Sequence, residues 1–515
     1  MFVQDVPGRY GTGTASKVMQ LLGWALIGVT ACAISIRVAD FNRRTLILGL
    51  LGLLVPLFAA VTKQPKRVLL FAWVQSLTYN HSYFSFDAVF GNNGAQGPYW
   101  IPADIFLLCL LGLWGYDAVR SKQASPARGG SLWPWYLPFL AVCLLSTLGA
   151  YRMNWAAFEM LRLLKIAVIF LYIRHNFERE DWWVCIAALG CAVALQSSLG
   201  ILQVVKKGSS GVLSLFGLGS DADPNLQGIE ASLGQGWNRA KGSLAEPNIL
   251  ATYLELTTPV FLALTVAARG GVVRGVCAFS AVVGLAALGL TLSRFPWMVG
   301  AVQVAVLAIG LMRFGELRLQ RVIGLASVGS LALTLALVPF RQQIMERVTA
   351  DFSESIDARV KLNRVALDIF SKNPFLGVGL NNLAEVIPTY GRAHDLDLDW
   401  YMESRETMRT DLSIRAMVAI HNLYLQFLAE TGIFGLAALL TFLLGTIQMG
   451  VRAVRTTDGL WKAASFGMLV GLFGVLAQEM TGFELWTDPV LYTFALIVGL
   501  LNVAPVLAMS AGGQD

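Results

Sequence analysis

Long apolar stretches separated by short polar connections run along nearly the whole chain. A helix that crosses a bilayer needs about 20 mostly apolar residues. Fourteen stretches approach or exceed that length: 16–36, 45–62, 68–84, 101–117, 132–149, 153–173, 181–204, 248–268, 274–292, 296–312, 322–340, 419–448, 463–481 and 488–507. They are continuously apolar, whereas the strands of a membrane β-barrel alternate apolar and polar residues. The pattern predicts an all-α polytopic membrane protein with about 12–14 transmembrane helices.

The composition argues against several other classes of protein. With 56% hydrophobic residues, 14% charged residues and a mean hydropathy of +0.60, the chain is too apolar for a soluble protein of 515 residues. Its six cysteines lie in apolar stretches without CxxC spacing, which disfavours a disulfide framework or a cysteine metal site. The net charge of +6 does not indicate a nucleic-acid partner, because many basic residues sit in short loops without interleaved aromatic side chains.

Lysine and arginine concentrate in alternate connections, which sets the expected orientation. Cytoplasmic loops carry an excess of these two residues. They cluster in the connections 63–67, 120–128, 174–179, 269–274, 313–321 and 452–462, whereas segment 77–100 contains none. These six connections, together with both termini, are therefore predicted to be cytoplasmic. Arg37, Arg43 and Arg44, between the first two stretches, disagree with this orientation.

Two longer polar segments are predicted on the extracytoplasmic side. Segment 205–247 is rich in glycine and serine and is predicted to be irregular. Segment 341–418 carries charges of both signs, and apolar residues at helical spacing between 355 and 370 predict a small, partly helical cap on the membrane surface. The chain is thereby divided into N-terminal helices (1–204), a loop (205–247), central helices (248–340), a cap (341–418) and C-terminal helices (419–515).

Two arginines stand at helix ends on that side. Arg239 closes the first polar segment, and Arg294 occupies the short turn between the stretches 274–292 and 296–312. An arginine is always charged, and its planar fork of donors matches phosphate oxygens. The two residues could therefore clamp a diphosphate. The alternative is contact with lipid headgroups, which is common for arginines at the ends of spans.

His421 opens the stretch 419–448 on the same side. A histidine can take a proton from a hydroxyl near neutral pH, and a nearby arginine favours its neutral, base-competent form. His421 is therefore a candidate general base. The alternative is a histidine that caps the start of its helix or is held there by a hydrogen bond.

Three further patterns have structural interpretations. Glu159, Arg162 and Lys165 follow one another at spacings of three, which places them on one helix face and predicts an internal salt bridge. The glycines of segment 371–382 lack Walker spacing and predict a tight turn rather than a P-loop. Asp-x-Asp pairs at 221–223, 395–397 and 397–399 lack a context that marks a metal site, so a metal is disfavoured.

Four segments between about residues 235 and 440 occur in a characteristic order. They are Arg239 to Asn248, Leu292-Ser293-Arg294, Arg359 to Asn382, and His421 to Gly432. In this order they resemble the superfamily of bacterial O-antigen ligases, O-antigen and exopolysaccharide polymerases and related oligosaccharyltransferases. The first 200 residues are similar only in being hydrophobic. Small residues often follow the serine and arginine in that family, whereas Phe295-Pro296-Trp297 follow here, and proline is tolerated in the first helical turn.

The resemblance implies a membrane fold of the GT-C type in the bacterial inner membrane. It implies transfer of a glycan from undecaprenyl diphosphate to an acceptor hydroxyl on the periplasmic face, without a metal or another cofactor. In that mechanism Arg239 and Arg294 hold the diphosphate. His421 activates the acceptor hydroxyl or organises the site, and Arg359 is a further candidate for the same pocket.

The acceptor distinguishes two activities of this kind. A polymerase extends another glycan repeat unit, whereas a ligase transfers the glycan to lipid A-core. The long charged cap could follow a growing chain and favours the polymerase, with the ligase as the alternative. A polytopic lipid or glycan transporter is the alternative from another class, but the sequence lacks the paired, broken spans typical of transporter repeats.

Overall fold

The computed structural model describes residues 55–56, 58–79, 83–84, 90–91, 94–95, 99–121, 127–205, 239–244, 246–315, 320, 324, 327, 329, 334, 337–349, 353–394 and 420–509. The chain forms the helices α1 (Pro65–Leu77), α2 (Pro102–Ser121), α3 (Trp133–Leu148), α4 (Met153–Asn176), α5 (Arg179–Val205), α6 (Pro247–Ala267), α7 (Gly271–Leu290), α8 (Arg294–Arg313), α9 (Arg341–Thr349), α10 (Ser353–Lys372), α11 (Leu383–Gly391), α12 (Leu423–Thr456), α13 (Gly459–Gln478) and α14 (Asp488–Met509). Short 3-10 turns lie at Val338–Phe340, Arg392–His394 and Glu484–Trp486.

Four strands of two residues each form two antiparallel pairs between α1 and α2. They are β1 (Tyr83–Phe84) with β4 (Tyr99–Trp100), and β2 (Phe90–Gly91) with β3 (Gly94–Ala95). The stretch 68–84 is consequently helical only as far as Leu77. The helix ends at Leu77, and the N–H and hydroxyl of the next residue, Thr78, both donate hydrogen bonds to the Gln75 carbonyl oxygen. Less of this stretch is helical than the sequence predicts.

Eight of the described helices are long and apolar enough to cross a membrane: α2, α5, α6, α7, α8, α12, α13 and α14. Helix α3 has only 16 residues, and α4 carries charges in its interior. The predicted stretch 16–36 lies outside the described residues, and the stretches 45–62 and 322–340 lie largely outside them. The prediction of an all-α polytopic membrane protein is confirmed.

Helices α6 and α14 form the interior of the bundle, since most of their residues are buried. Helix α6 packs closely along α13 because Gly467 and Gly471 allow the two backbones to approach. A Cβ atom on Gly471 would lie 2.2 Å from the Leu256 carbonyl oxygen. Small residues permit such close contact between membrane helices, so these two positions fix the spacing of α6 and α13.

Buried charges of α4 pair inside the bundle. The Arg162 Nη2 atom lies 2.7 Å from Glu159 Oε1, and its Nη1 atom lies 3.4 Å from Asp488 Oδ1 on α14. Lys165 Nζ lies 2.9 Å from Asp104 Oδ2 on α2. The predicted internal salt bridge is confirmed for Glu159 and Arg162, while Lys165 pairs with another helix. The ion pairs join three helices, and those of Arg162 with Glu159 and Asp488 are buried away from water.

Replacing Arg162 by alanine is expected to destabilise the fold by about 3–5 kcal/mol, because it leaves the buried carboxylates of Glu159 and Asp488 without their cation. Thermal unfolding in detergent measures the change. Arg152→Ala is the matched control, since its pair with Glu385 is exposed and is expected to contribute less than about 1 kcal/mol. Equal losses in the two variants would contradict a stabilising role for the buried network.

The cap contains α9, α10 and α11 and has a small core of its own. The core residues are Leu362, Val365, Ala366, Ile369, Val378, Leu383, Val386, Ile387, Ile420 and Ala429. Helix α10 covers the stretch 355–370 for which the sequence predicts helical spacing. Because Ala429 belongs to α12, the cap core is shared with the helix that follows His421. The aspartates at 395, 397 and 399 lie outside the described residues.

Candidate functional site

The candidate residues gather at one face of the bundle, where α6, α8, α12 and α14 begin and α7 and α13 end. We call this the site face. The segment before α6 bonds to the turn between α7 and α8 through Arg239. The Leu423 N–H at the start of α12 donates to the carbonyl oxygens of Glu479 and Gly482, in the connection between α13 and α14, at 3.0 and 2.9 Å. Glu246 acts electrostatically on Glu484, which places the start of α6 near that connection.

Arg239 is held by the turn that carries Arg294. Its Nε atom donates to the Thr291 carbonyl oxygen at 2.7 Å, and its Nη2 atom donates to Ser293 Oγ at 2.8 Å and Asn248 Oδ1 at 3.3 Å. The Ser293 hydroxyl donates in turn to Asn248 Oδ1 at 2.7 Å. Arg239 therefore fixes the turn between α7 and α8 against the start of α6.

The chain around Arg239 is itself anchored on α5. Gln203 Oε1 accepts from the Gly242 N–H at 2.9 Å, and Gln203 Nε2 donates to the Gly242 carbonyl oxygen at 2.8 Å. About two turns earlier on the same helix, Gln196 Oε1 accepts from the Ser243 N–H at 2.8 Å. A Cβ atom on Gly242 would lie 2.7 Å from Gln196 Oε1, and its φ of +59° is in the left-handed region, so glycine suits this position.

Arg294 is the first residue of α8 and is half-buried. Leu292, two residues before it, adopts φ +53°, a conformation that costs a non-glycine residue about 1–3 kcal/mol. Ser293 occupies the N-cap position of α8, but its hydroxyl bonds to Asn248 and Arg239 rather than capping the helix. The turn is therefore a strained segment that presents an arginine at a helix N-terminus without a side-chain cap.

The residues after Arg294 support this turn. Pro296 lies in the first turn of α8, where a missing N–H costs little. The Trp297 indole Nε1 donates to the Leu288 carbonyl oxygen of α7 at 3.1 Å. The departure from small residues at 295–297 therefore ties α8 to α7 and leaves Arg294 at the helix start.

His421 lies two residues before α12. The helix is capped by its neighbour Asn422, whose Oδ1 atom accepts from the Leu425 N–H at 3.0 Å. The His421 ring packs against the Phe483 ring with centroids 5.5 Å apart. Its Nδ1 atom is buried and has no hydrogen-bond partner among the described residues. The interpretation of His421 as the helix cap is therefore wrong.

Desolvation, assisted by the Arg359 charge, lowers the pKa of His421 to about 4. The ring is consequently neutral at neutral pH, as the sequence predicts for a base near an arginine. Arg359, on α10 of the cap, also places its Nη1 atom 3.5 Å from the Thr481 carbonyl oxygen. The structure therefore brings Arg359 and His421 to the same connection between α13 and α14.

Two acidic residues for which the sequence identifies no partner, Glu246 and Glu484, lie near Arg239 and Arg359 respectively. Desolvation raises the pKa of Glu246, against the opposing charges of Arg239 and Lys241. Desolvation also raises the pKa of Glu484. The charge of Glu246 raises this pKa further, whereas the charge of Arg359 lowers it. The sequence gives only a weak indication that these two residues belong to the site. Acidic residues are common at helix ends, and the neighbours of these two come from distant segments of the chain.

Comparison with protein families gives a match over the centre of this site. Residues 279–440 match the family model described as O-antigen ligase. The match supports a relationship between this region and the O-antigen ligase-like superfamily. No curated protein matches the chain. The ligase-like region begins within α7 and ends within α12, so it includes Arg294, Arg359 and His421 but not Arg239.

A glycine-rich loop within the ligase-like region docks onto a kink in α12. Gly432 interrupts that helix with φ +67° and ψ −168°, which only glycine readily adopts. Its Cα lies against the backbone of Phe375, while Gly377 lies against the backbone of Glu430. The tight turn predicted for segment 371–382 is confirmed.

Glu430 of the ligase-like region has a structural role. Its Oε2 atom accepts from the Asn381 N–H at 3.0 Å, and its Oε1 atom accepts from the Leu383 N–H at 3.2 Å. The carboxylate thereby ties the start of α11 to α12. Together with the glycine contacts, it makes the cap and the His421 helix one packed unit.

Metal ligands are the remaining question for the ligase-like site. Across the part of the chain that the structure describes, no group of three or more His, Cys, Asp or Glu side chains is arranged to hold a metal ion. Residues 221–223 and 395–399, which carry the Asp-x-Asp pairs, lie outside that part.

Proposed function

We propose that the protein is a membrane glycosyltransferase that transfers a glycan from undecaprenyl diphosphate to an acceptor hydroxyl. The proposal rests on one observation. A neutral histidine and a turn that carries an arginine lie at the same face of the bundle, and both belong to the ligase-like region. Arg239 is bonded to the turn that carries Arg294. His421 and Arg359 both contact the connection between α13 and α14.

The chemistry of the transfer fits these groups. Breaking the bond between sugar and phosphate leaves negative charge on the lipid diphosphate, and fixed guanidinium groups stabilise charge where it develops. The N-terminus of α8 without a side-chain cap adds backbone N–H groups and a positive dipole end beside Arg294. We assign Arg294 to the diphosphate, with Arg239 fixing the turn or contacting the same anion. His421 faces the acceptor hydroxyl.

The orientation of the helices supports a site on the periplasmic side of the inner membrane. Helices α8 and α12 begin at the site face and end near Arg313, Arg452 and Arg455. Basic residues favour the cytoplasmic side. A glycan exported on a lipid carrier would then reach the site face without recrossing the membrane.

The acceptor decides between polymerase and ligase. We favour a polymerase of O-antigen or exopolysaccharide, because the charged cap could guide a growing chain. The description of the matching family model favours the alternative, transfer to lipid A-core. A transporter is less well supported, since transporter sites lie near the midplane of the membrane, whereas these candidates lie at one face.

The experiment uses purified protein in liposomes with labelled undecaprenyl-diphosphate repeat units, with and without lipid A-core, and separates the products by size. A ladder without added acceptor supports the polymerase. A product that requires lipid A-core supports the ligase. Unchanged substrate under both conditions would contradict glycan transfer and favour the transporter.

A further inference from the structure

A buried carboxylate stands between the two cationic parts of the site. Glu484 is 4% exposed and begins the 3-10 turn Glu484–Trp486 ahead of α14. Its Oε2 atom accepts from the Phe483 N–H at 3.0 Å. The charge of Arg359, on the cap, lowers the pKa of Glu484, and the charge of Glu246, just before α6, raises it. The carboxylate is thus placed between the His421 connection and the segment that carries Arg239.

The residues just before Glu484 also hold the histidine. The Gly482 carbonyl oxygen accepts from the Leu423 N–H at 2.9 Å, and the Phe483 ring packs against His421. A Cβ atom on Gly482 would lie 1.9 Å from Glu484 Oε2, so the carboxyl group folds back directly over this glycine. The same short connection therefore positions both the imidazole and the carboxylate.

The two groups differ in their capacity to accept a proton. An imidazole whose pKa is lowered to about 4 is neutral at neutral pH, but it holds an added proton weakly. Desolvation raises the pKa of Glu484 to about 7. A general base works best when its pKa lies near the working pH.

We propose that Glu484, rather than His421, takes the proton of the acceptor hydroxyl. The inference rests on the proposed glycan transfer. The O–H bond of the acceptor breaks and its proton passes to the Glu484 carboxylate, while the acceptor oxygen forms a bond to the anomeric carbon. The bond from that carbon to the phosphate oxygen breaks, and its electron pair leaves with the lipid diphosphate. Water takes the proton from Glu484 afterwards, and His421 orients the acceptor.

The pH dependence follows from the charged groups around Glu484. They are Glu246 just before α6, Glu255 of α6, Glu479 at the end of α13, Arg359 of the cap and His421, which packs against Phe483. Glu484 is active only when deprotonated, so the transfer rate is expected to rise with pH through about 7 and then level off. His421 stays neutral across this pH range, so its titration does not change the transfer rate there.

The test compares pH profiles of transfer for the wild-type protein and Glu484→Gln in the liposome assay. The isosteric variant is expected to lose about 10²- to 10⁴-fold in rate at pH 8, as is typical for removal of a general base, and to lose the rise through pH 7. Glu484→Asp retains a carboxyl group and is expected to retain a rise with pH at a reduced rate. His421→Gln is expected to lose rate but keep the rise.

Glu479→Gln is the matched control, because it removes a neighbouring buried carboxyl that accepts from the Leu485 N–H. It is expected to keep the rise with pH. Infrared difference spectra of wild type against Glu484→Gln should show one carboxyl that titrates near pH 7, independently of activity.

Three results would overturn the assignment. They are a Glu484→Gln protein with normal rate and profile, a rise with pH that disappears only in His421→Gln, or no carboxyl that titrates near neutral pH. An inactive wild-type protein would instead remove the proposed transfer itself, and this inference with it.

Discussion

Replacing Arg294 by alanine is expected to lower the rate of glycan transfer by about 10²- to 10³-fold, the cost of removing one group that stabilises charge in a transition state. The side chain stands at the start of α8, on a turn fixed by Arg239 and strained at Leu292. In the proposed mechanism its removal takes away the guanidinium group assigned to the charge that develops on the diphosphate. Initial rates in liposomes at saturating donor measure the effect.

Two variants sharpen this prediction. Arg294→Lys keeps the charge but loses the planar fork, so an intermediate rate is expected. Arg313→Ala removes the exposed arginine at the opposite end of the same helix and should leave the rate unchanged. A well-inserted Arg294→Ala protein with normal rate would remove this residue from the mechanism.

The bonds of Arg239 predict how the two arginines combine. Arg239→Ala releases Thr291 and Ser293, so Arg294 loses its position together with any contact from Arg239 itself. The double variant should then be little slower than Arg294→Ala alone, because residues that act through one unit are not additive. Multiplied losses would instead show two independent contributions.

Replacing Gly432 by alanine is expected to abolish stable folding in detergent, with a loss of several kcal/mol. Its φ and ψ values lie in a region that is essentially restricted to glycine. A Cβ atom would also lie 2.2 Å from the Phe375 carbonyl oxygen, in backbone that has little freedom to move. The cap would separate from α12, and transfer should be lost with it. Thermal unfolding and yield of monodisperse protein measure the outcome.

Gly275→Ala provides the matched control on α7. A Cβ atom there has no neighbour within 4 Å, and alanine is favoured over glycine inside a helix by about 1 kcal/mol. That variant should be as stable as the wild type or slightly more so. Similar behaviour of the two variants would contradict the docking of the loop on the kink.

Local patterns in the sequence were sufficient for much of the fold. Continuous apolar stretches predict α5, α6 and α14, because a bilayer-spanning helix depends on its own residues. Spacings of three also predict the pair of Glu159 with Arg162, since both lie on one helix. Lys165 shows where this argument ends, because its partner Asp104 belongs to another helix.

The candidate site could be predicted only in part for the same reason. Arg239, Arg294 and His421 stand out as rare polar residues at apolar helix ends. The position of Glu484 between Arg359 and Glu246 depends on three elements that are distant in sequence. No local spacing encodes such a meeting, and the weak basicity of His421 likewise follows from burial in the folded protein.

The hydrogen bonds from Gln196 and Gln203 to Gly242 and Ser243 have an evolutionary consequence. They fix the chain three and four residues after Arg239, so α5 helps to set the position of the arginine. Helix α5 lies outside the ligase-like region, yet related proteins should retain a hydrogen-bonding side chain at these two positions if they retain the arginine.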